Sequence, residues 1–239
     1  MSSDIFKFKQ FHIAQEQCSM KIGTDGVLLG AWVSTEGANS VLDIGTGSGV
    51  IALMVAQRTK AAKISAVEID EKSFNQAKQN IDNSPWSSRM DLYNNTIQDY
   101  AKTINQTFDL IVCNPPFFTG GTFSNNQERN DVRHTIKLPN GDLLMCANNL
   151  LNKNGKFCVI LPYIEGLRFK EMAETYGLYA NRVTSVIGKV GKPVERLLIE
   201  FCKEKCDTVK EDELVIQIGG RDEYSEEYVS LTKDFYLKM

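Results

Sequence analysis

At 239 residues the chain can hold one large α/β domain or two small ones. Its hydrophobic share of 42% and charged share of 24% are ordinary for a soluble globular protein, and no apolar run approaches the ~18 residues a membrane helix needs. A net charge of −3 supplies no global basic field, so any nucleic-acid site must be a local patch.

The first residues, Met1-Ser2-Ser3-Asp4-Ile5-Phe6-Lys7, lack the basic-then-apolar pattern of a signal peptide, and a cytoplasmic location is expected. Residues 5–22 interleave Phe6, Phe8 and Phe11 with Lys7, Lys9 and Lys21, which reads as an N-terminal strand pair packed on the core. Lys21-Ile22-Gly23-Thr24-Asp25-Gly26 then leads into a helix with Leu28, Leu29 and Trp32 on its apolar face. Thr24 or Asp25 can cap that helix, and a helix start is also a place where backbone N–H groups face an open site.

Ser40–Ile44 is a short apolar strand, followed by Gly45-Thr46-Gly47-Ser48-Gly49 and a helix from Val50 to Arg58. The glycines permit a tight turn and close approach of backbone to a ligand at the helix N-terminus. A second strand over 63–69 ends in Glu68-Ile69-Asp70. An acid about 20 residues past the glycines is placed to hold ribose hydroxyls. Strand, glycine turn, helix, strand and terminal acid, in that order, point to a nucleoside-bearing cofactor.

The glycine spacing is G-x-G-x-G with Asp43 two residues before the first glycine, which differs from the G-x-G-x-x-G of dinucleotide sites. An acid inside the turn opposes a pyrophosphate and suits a cationic or zwitterionic ligand. S-adenosylmethionine, with a sulfonium, an amino group and one carboxylate, meets that requirement; a nicotinamide dinucleotide does not.

A helix over 71–83 carries Phe74, Ala77 and Ile81 on a narrow apolar face and ends by Ser84-Pro85-Trp86. A third strand runs from Arg89 to Tyr93, and Asn94 to Asp99 leads into a short helix. Polar groups here can meet an adenine amine, and Asn95 or Thr96 can equally cap the helix. The fourth strand, Leu110 to Cys113, stops at Asn114-Pro115-Pro116-Phe117. Neither proline can donate to a ladder, so an amide, a carbonyl and a ring are held at the rim of a sheet.

The polar stretch from Phe118 to Asn140 carries Arg129, Arg133, His134 and Lys137, and reads either as a phosphate-contacting lid or as a solvated loop. Helix 141–152, strand 157–161 ending at Pro162, helix 164–175 and strand 182–187 follow. Gly188 to Pro193 is a basic loop between the strands 182–187 and 196–201, which fits a hairpin and makes the last main strand antiparallel. Lys189 and Lys192 on it can meet phosphate or merely keep a hairpin tip soluble. Leu214–Ile218 is a further short strand, and Tyr224, Tyr228, Leu231 and Phe235 form one apolar stripe of a helix over 224–236.

Of the six cysteines, Cys113, Cys146 and Cys158 lie in apolar stretches as small core residues. Cys202 and Cys206 form a C-x-x-x-C pair with no second pair and only two histidines in the chain, so no metal site is expected. Alternating strands and helices from 40 to 201 give an α/β fold: a doubly wound, seven-stranded sheet of mostly parallel strands with the last strand antiparallel. No linker divides the chain, and a single domain over 1–239 is expected, residues 1–39 being an extension that contributes to the cofactor site. In such sheets ligands sit at the carboxyl ends of strands beside the switch point, which makes the glycine turn and Asn114-Pro115-Pro116-Phe117 neighbours.

Asn114-Pro115-Pro116-Phe117 together with Val41-Leu42-Asp43-Ile44-Gly45-Thr46-Gly47-Ser48-Gly49 resembles the Rossmann-like class I amino-methyltransferases that use S-adenosylmethionine. Most of the chain is similar to the bacterial tRNA(Val) adenine N6-methyltransferases, which act on adenosine 37 beside the anticodon. Lys21 to Trp32, Ala66 to Asp70, Ser84-Pro85-Trp86, Arg133-His134-Thr135 and Leu231 to Tyr236 carry this likeness. Phe117 stands where the related enzymes commonly have tyrosine, and Thr96 where aspartate is common.

The resemblance implies Asn114, Pro115, Pro116 and Phe117 as the catalytic set. It implies a cofactor site built from Lys21, Thr24, Asp25, Gly26, Asp43, Gly45, Gly47, Gly49, Glu68, Ile69, Thr96, Ile97 and Asn114. RNA contacts are expected at Arg129, Arg133, His134, Lys189 and Lys192, with the tRNA anticodon loop as partner and no obligatory protein partner. Rival expectations are a protein glutamine methyltransferase or another RNA or DNA amino-methyltransferase, which the Asn-Pro-Pro motif also suits, a nicotinamide oxidoreductase, and a non-catalytic RNA-binding module.

Overall fold

The computed structural model describes residues 5–18, 20–60, 62–116 and 138–239. An N-terminal hairpin, β1 (Ile5–Lys7) and β2 (His12–Ala14), precedes helix α1 (Thr24–Trp32). The main body then alternates β3 (Ser40–Ile44), α2 (Val50–Arg58), β4 (Lys63–Glu68), α3 (Glu71–Asp82), β5 (Met90–Asn94), α4 (Ile97–Thr103) and β6 (Phe108–Cys113). After residue 138 come α5 (Asn140–Leu150), β7 (Leu151–Pro162), α6 (Tyr163–Thr175), β8 (Tyr179–Lys189), β9 (Val194–Cys202), β10 (Lys210–Gln217) and α7 (Glu226–Thr232).

Eight strands form one sheet in the order β10-β8-β9-β7-β6-β3-β4-β5, with β9 antiparallel to both neighbours and every other pairing parallel. This is the doubly wound architecture the alternation implies. Two features go beyond the seven-stranded expectation. The segment expected at 214–218 is a longer strand, β10, which joins the sheet in parallel beside β8, and the antiparallel β9 lies inside the sheet between β7 and β8. An exposed β8 edge would leave a row of N–H and C=O groups unpaired, and β10 supplies their partners.

The central strands are buried on both faces, so alternate residues feed two cores. Val41, Leu110, Val112, Cys158 and Ile160 pack under α1, α2, α3 and the terminal segments, together with Phe8, Ile13, Trp32, Tyr228 and Phe235. Leu42, Ile44, Ile111, Cys113, Phe157 and Val159 face α4, α5 and α6. The hairpin sits on the first layer: Phe8 bridges Tyr236, Lys9 N–H donates to Phe235 O, and the Phe8 and Phe11 rings stack at 4.5 Å. Among the described residues no helix is long and apolar enough to cross a membrane.

Three element boundaries differ from the sequence reading. The residues between the expected helix 141–152 and strand 157–161, Asn154-Gly155 among them, are part of β7, which begins at Leu151. A Cβ on Gly155 would stand 2.8 Å from the Phe108 carbonyl, so the missing side chain serves a close strand approach at a register shift. The last helix is shorter than 224–236: the Ser225 hydroxyl caps it by accepting Tyr228 N–H, and it closes at Thr232, whose hydroxyl donates back to Tyr228 O. Neither Thr24 nor Asp25 caps α1, whose N-cap is Gly23 with no side-chain hydrogen bond. Asp25 turns instead to Arg196, 3.0 Å away on β9.

Candidate active site

The chain leaves β3 toward β4 and β5 on one side, then returns to β6 and β7 on the other, so the switch point lies between β3 and β6. Ile44 pairs with Cys113. The next residues on those adjacent strands are Gly45 and Asn114, which places the glycine turn and the Asn-Pro-Pro segment side by side at the carboxyl edge. Asn114 Oδ1 is buried and, among the described residues, has no hydrogen-bond partner. Pro115 is buried and Pro116 exposed beyond it; Phe117 lies outside the described residues. A buried amide oxygen without a donor costs roughly 1–3 kcal/mol, so its retention at a cleft marks a place that receives one.

The glycine turn is tied to β4, since Gly45 and Thr46 N–H groups both donate to Val67 O. Gly45 and Gly47 have positive φ of 70° and 57°, and a Cβ on either would meet nothing within 4 Å. Backbone there borders open space that only glycine leaves clear in this conformation. Under the turn, Asp43 is fully buried; its Oδ2 accepts from the Thr46 hydroxyl and from Ala52 N–H, while Oδ1 has no partner. Burial pushes its carboxyl up to about 7, against those two hydrogen bonds and with help from nearby Glu68.

Glu68, at the end of β4, accepts Gly47 N–H at 2.8 Å and Asp70 N–H at 2.9 Å. Burial raises its carboxyl as well, and these N–H groups oppose the rise. Asp70 itself is the N-cap of α3, accepting Ser73 N–H.

A cleft of about 1810 Å³ opens over this edge. Its lining brings together Lys21, Thr24, Asp25, Gly26, Gly45, Gly47, Asn114, Pro115 and Pro116, as the sequence motifs require. Asp43 and Gly49 lie beneath that surface; Glu68 reaches the turn through Gly47. Ile69 is exposed beside Glu68, and the Ile97 side chain is buried in the core. Thr96 caps α4, its hydroxyl accepting Asp99 N–H with its own O–H left to donate. Lys189 and Lys192 are exposed on the β8–β9 turn, which stands on the same carboxyl edge because β8 is parallel to the central strands. Arg129, Arg133 and His134 lie outside the described residues.

Residues with no motif complete the site. Arg196 lines the cleft and holds Asp25. On α3 the amides of Gln76 and Asn80 are buried, not solvated, and bind the backbone of the N-terminal segment. Their only signal in the sequence is position: Ser73, Gln76, Ala77 and Asn80 fall at i, i+3, i+4 and i+7, one face of a helix.

A family model described as the methyltransferase small domain matches residues 19–175. Solved structures share the fold: a predicted O-methyltransferase from Agrobacterium tumefaciens superposes with a TM-score of 0.70 at 16% identity, covering 88% of this chain and 96% of its own. A putative RNA methyltransferase from Pyrococcus horikoshii gives 0.53 at 17% identity, covering 74% and 79%. The fold and the site thus define a methyltransferase built on the nucleoside-binding α/β sheet.

Full-length relatives narrow the class. A tRNA1(Val) (adenine(37)-N6)-methyltransferase of Bacteroides fragilis is 45% identical over 100% of both chains. Enzymes of the same name from Christiangramia forsetii and Histophilus somni are 42% and 44% identical, covering 100% and 97% of both chains respectively. The chain belongs to the tRNA1(Val) (adenine(37)-N6)-methyltransferase family.

Proposed function

We infer that the protein transfers a methyl group from S-adenosylmethionine to the exocyclic N6 of an adenosine in tRNA, at position 37 beside the anticodon of tRNA(Val). The observation that carries the chemistry is the buried, unpartnered Oδ1 of Asn114 at the switch point. An amine with two N–H groups is the complement of that oxygen and of the Pro115 carbonyl next to it.

The residues present fit the donor. The open space above Gly45 and Gly47 admits a ligand against bare backbone. Asp43, with its spare Oδ1 and no basic side chain bonded to it, favours a cationic group over a phosphate. Glu68, fixed by Gly47 and Asp70 N–H groups, is the acid for ribose hydroxyls. Lys21, Thr24, Asp25 and Gly26 wall the opposite side. S-adenosylmethionine supplies an electrophilic methyl on a sulfonium.

The difficulty lies in the nucleophile, because the adenine amino lone pair is delocalised into the ring. Asn114 Oδ1 and the Pro115 carbonyl each accept one amino N–H and localise the lone pair on nitrogen. They also stabilise the positive charge that develops there as the new bond forms. No general base is needed first: the methylated nitrogen is strongly acidic and gives its extra proton to water. Phe117 is assigned to stack on the base, a contact worth ~1–3 kcal/mol for a base on an aromatic ring. Holding donor and acceptor in line supplies much of the remaining acceleration.

The target nucleotide is assigned to the same cleft, beside Asn114 and Pro115. A loop adenosine is cheaper to splay out than a paired one. Lys189 and Lys192 on the rim, with Arg129, Arg133 and His134, are assigned to the tRNA backbone. Residues 1–39 belong to the same domain, and a tRNA substrate places the reaction in the cytoplasm. The test is mass spectrometry of tRNA nucleosides from cells lacking the protein: N6-methyladenosine in tRNA(Val) should disappear. Its persistence, or loss of methylated glutamine in a protein instead, would refute the reading.

A further inference from the structure

Asn80 is 3% exposed, and its side chain makes three hydrogen bonds to backbone. Its Oδ1 accepts Ala14 N–H at 2.9 Å and its Nδ2 donates to Ala14 O at 2.8 Å, which pairs Ala14 as a neighbouring strand would. The second Nδ2 hydrogen goes to Ser48 O at 2.9 Å, inside the glycine turn. One amide therefore joins the end of the N-terminal hairpin to the turn.

The segment that leaves Ala14 is fastened at two more points. Gln76, one helical turn before Asn80, accepts Gln17 N–H at 3.2 Å. Gln15 Oε1 accepts Ile22 N–H at 2.9 Å and closes the segment on itself. The segment continues into Lys21 to Gly26, which line the cleft. Residues 14–18 and 20–22 are thus a strap beside the glycine turn, held by amides of α3 that do not line the cleft.

We propose that Asn80, seconded by Gln76, is the positioning residue that sets the cofactor half of the site by fastening this strap to the glycine turn. The inference rests on S-adenosylmethionine as the methyl donor and is independent of which nucleoside is methylated. Releasing the strap removes one wall of the cofactor's pocket and leaves Asn114 and Pro115 in place. Affinity for the donor falls while the chemical step at saturation is preserved.

The test compares wild type, Asn80→Ala and Gln76→Ala. Calorimetry with S-adenosylmethionine should show a dissociation constant about tenfold higher for Asn80→Ala and about threefold higher for Gln76→Ala, on the scale of buried hydrogen bonds. KM for the donor should rise in step, with kcat at saturation within about twofold. Hydrogen exchange of ligand-free protein should show faster exchange at Ala14 in the first variant and at Gln17 in the second. If Asn80→Ala does not fold, Gln76→Ala carries the test. An unchanged dissociation constant overturns the proposal, whatever the exchange rates. So does a fall in kcat with KM unchanged, which is the mark of a merely structural loss. Wild type that binds S-adenosylmethionine but leaves tRNA adenosine unmethylated refutes the tRNA reading alone.

Discussion

Two buried oxygens stand at the carboxyl ends of adjacent strands, and both lack a partner among the described residues: Asp43 Oδ1 on β3 and Asn114 Oδ1 just past β6. They answer the same deficit differently. Asp43 is ionisable, and burial lifts its carboxyl to about 7, so the ligand-free protein can take up a proton there. Asn114 has no such exit and waits for a donor. The first half of the cleft is therefore tuned by charge and pH, the second by hydrogen-bond geometry alone.

The largest effect should come from the neutral half. Asn114→Ala is expected to lower methyl transfer by about 10²–10³-fold, the scale of losing one oxyanion-type partner, with donor affinity within about twofold. Tritium transfer and calorimetry on the same preparation check this; a variant as active as wild type would remove Asn114 from the chemistry.

Asp43 should show the opposite pattern. A cationic ligand favours the carboxylate, so binding releases a proton, and affinity should be about tenfold weaker at pH 6 than at pH 8. Asp43→Ala should weaken binding and abolish that slope. In the ligand-free protein the sign reverses. The folded-state value of about 7 lies above the ordinary 3.8, so this group favours folding at low pH and the contribution is lost as pH rises through 7. Asp43→Asn cannot ionise and should gain stability relative to wild type between pH 5 and 8, by roughly 1–3 kcal/mol in chemical denaturation. Parallel stability profiles for the two proteins would contradict the shift.

Smaller effects belong to the margins. Lys189→Glu with Lys192→Glu should raise the tRNA dissociation constant several-fold and reduce its salt slope by about 1–2, if each contacts one phosphate. Thr96→Ala should cost about 1 kcal/mol of stability through the lost cap of α4 and leave donor affinity unchanged. A marked loss of affinity would instead place the Thr96 hydroxyl in the site.

The glycine turn and the Asn-Pro-Pro segment were legible because their chemistry is local. Glycines that need positive φ, and prolines that end a ladder, announce themselves within a few residues. The order of strands then followed from alternation and the switch-point rule. What could not be read was long-range pairing. Asp25 meets Arg196 across 171 residues of sequence, and that contact, not a cap, is what the acid does. Gln76 and Asn80 look like polar surface until the N-terminal segment is laid on them. The placing of β10 beside β8 depends on an unpaired edge, a property of the assembled sheet. The charge of Asp43 alone suits a cationic ligand; its proton uptake depends on burial, which only packing reveals.

Asn114 and Pro115 are proposed to receive an adenine amine. Unmodified tRNA(Val) incubated with the purified protein and S-adenosylmethionine, then cut to fragments and weighed by mass spectrometry, tests it most directly. One added methyl on N6 of adenosine 37 is expected, with about 10²–10³-fold less of it from Asn114→Ala at equal donor occupancy. A methyl on a ring nitrogen, a ribose or another nucleotide would contradict it.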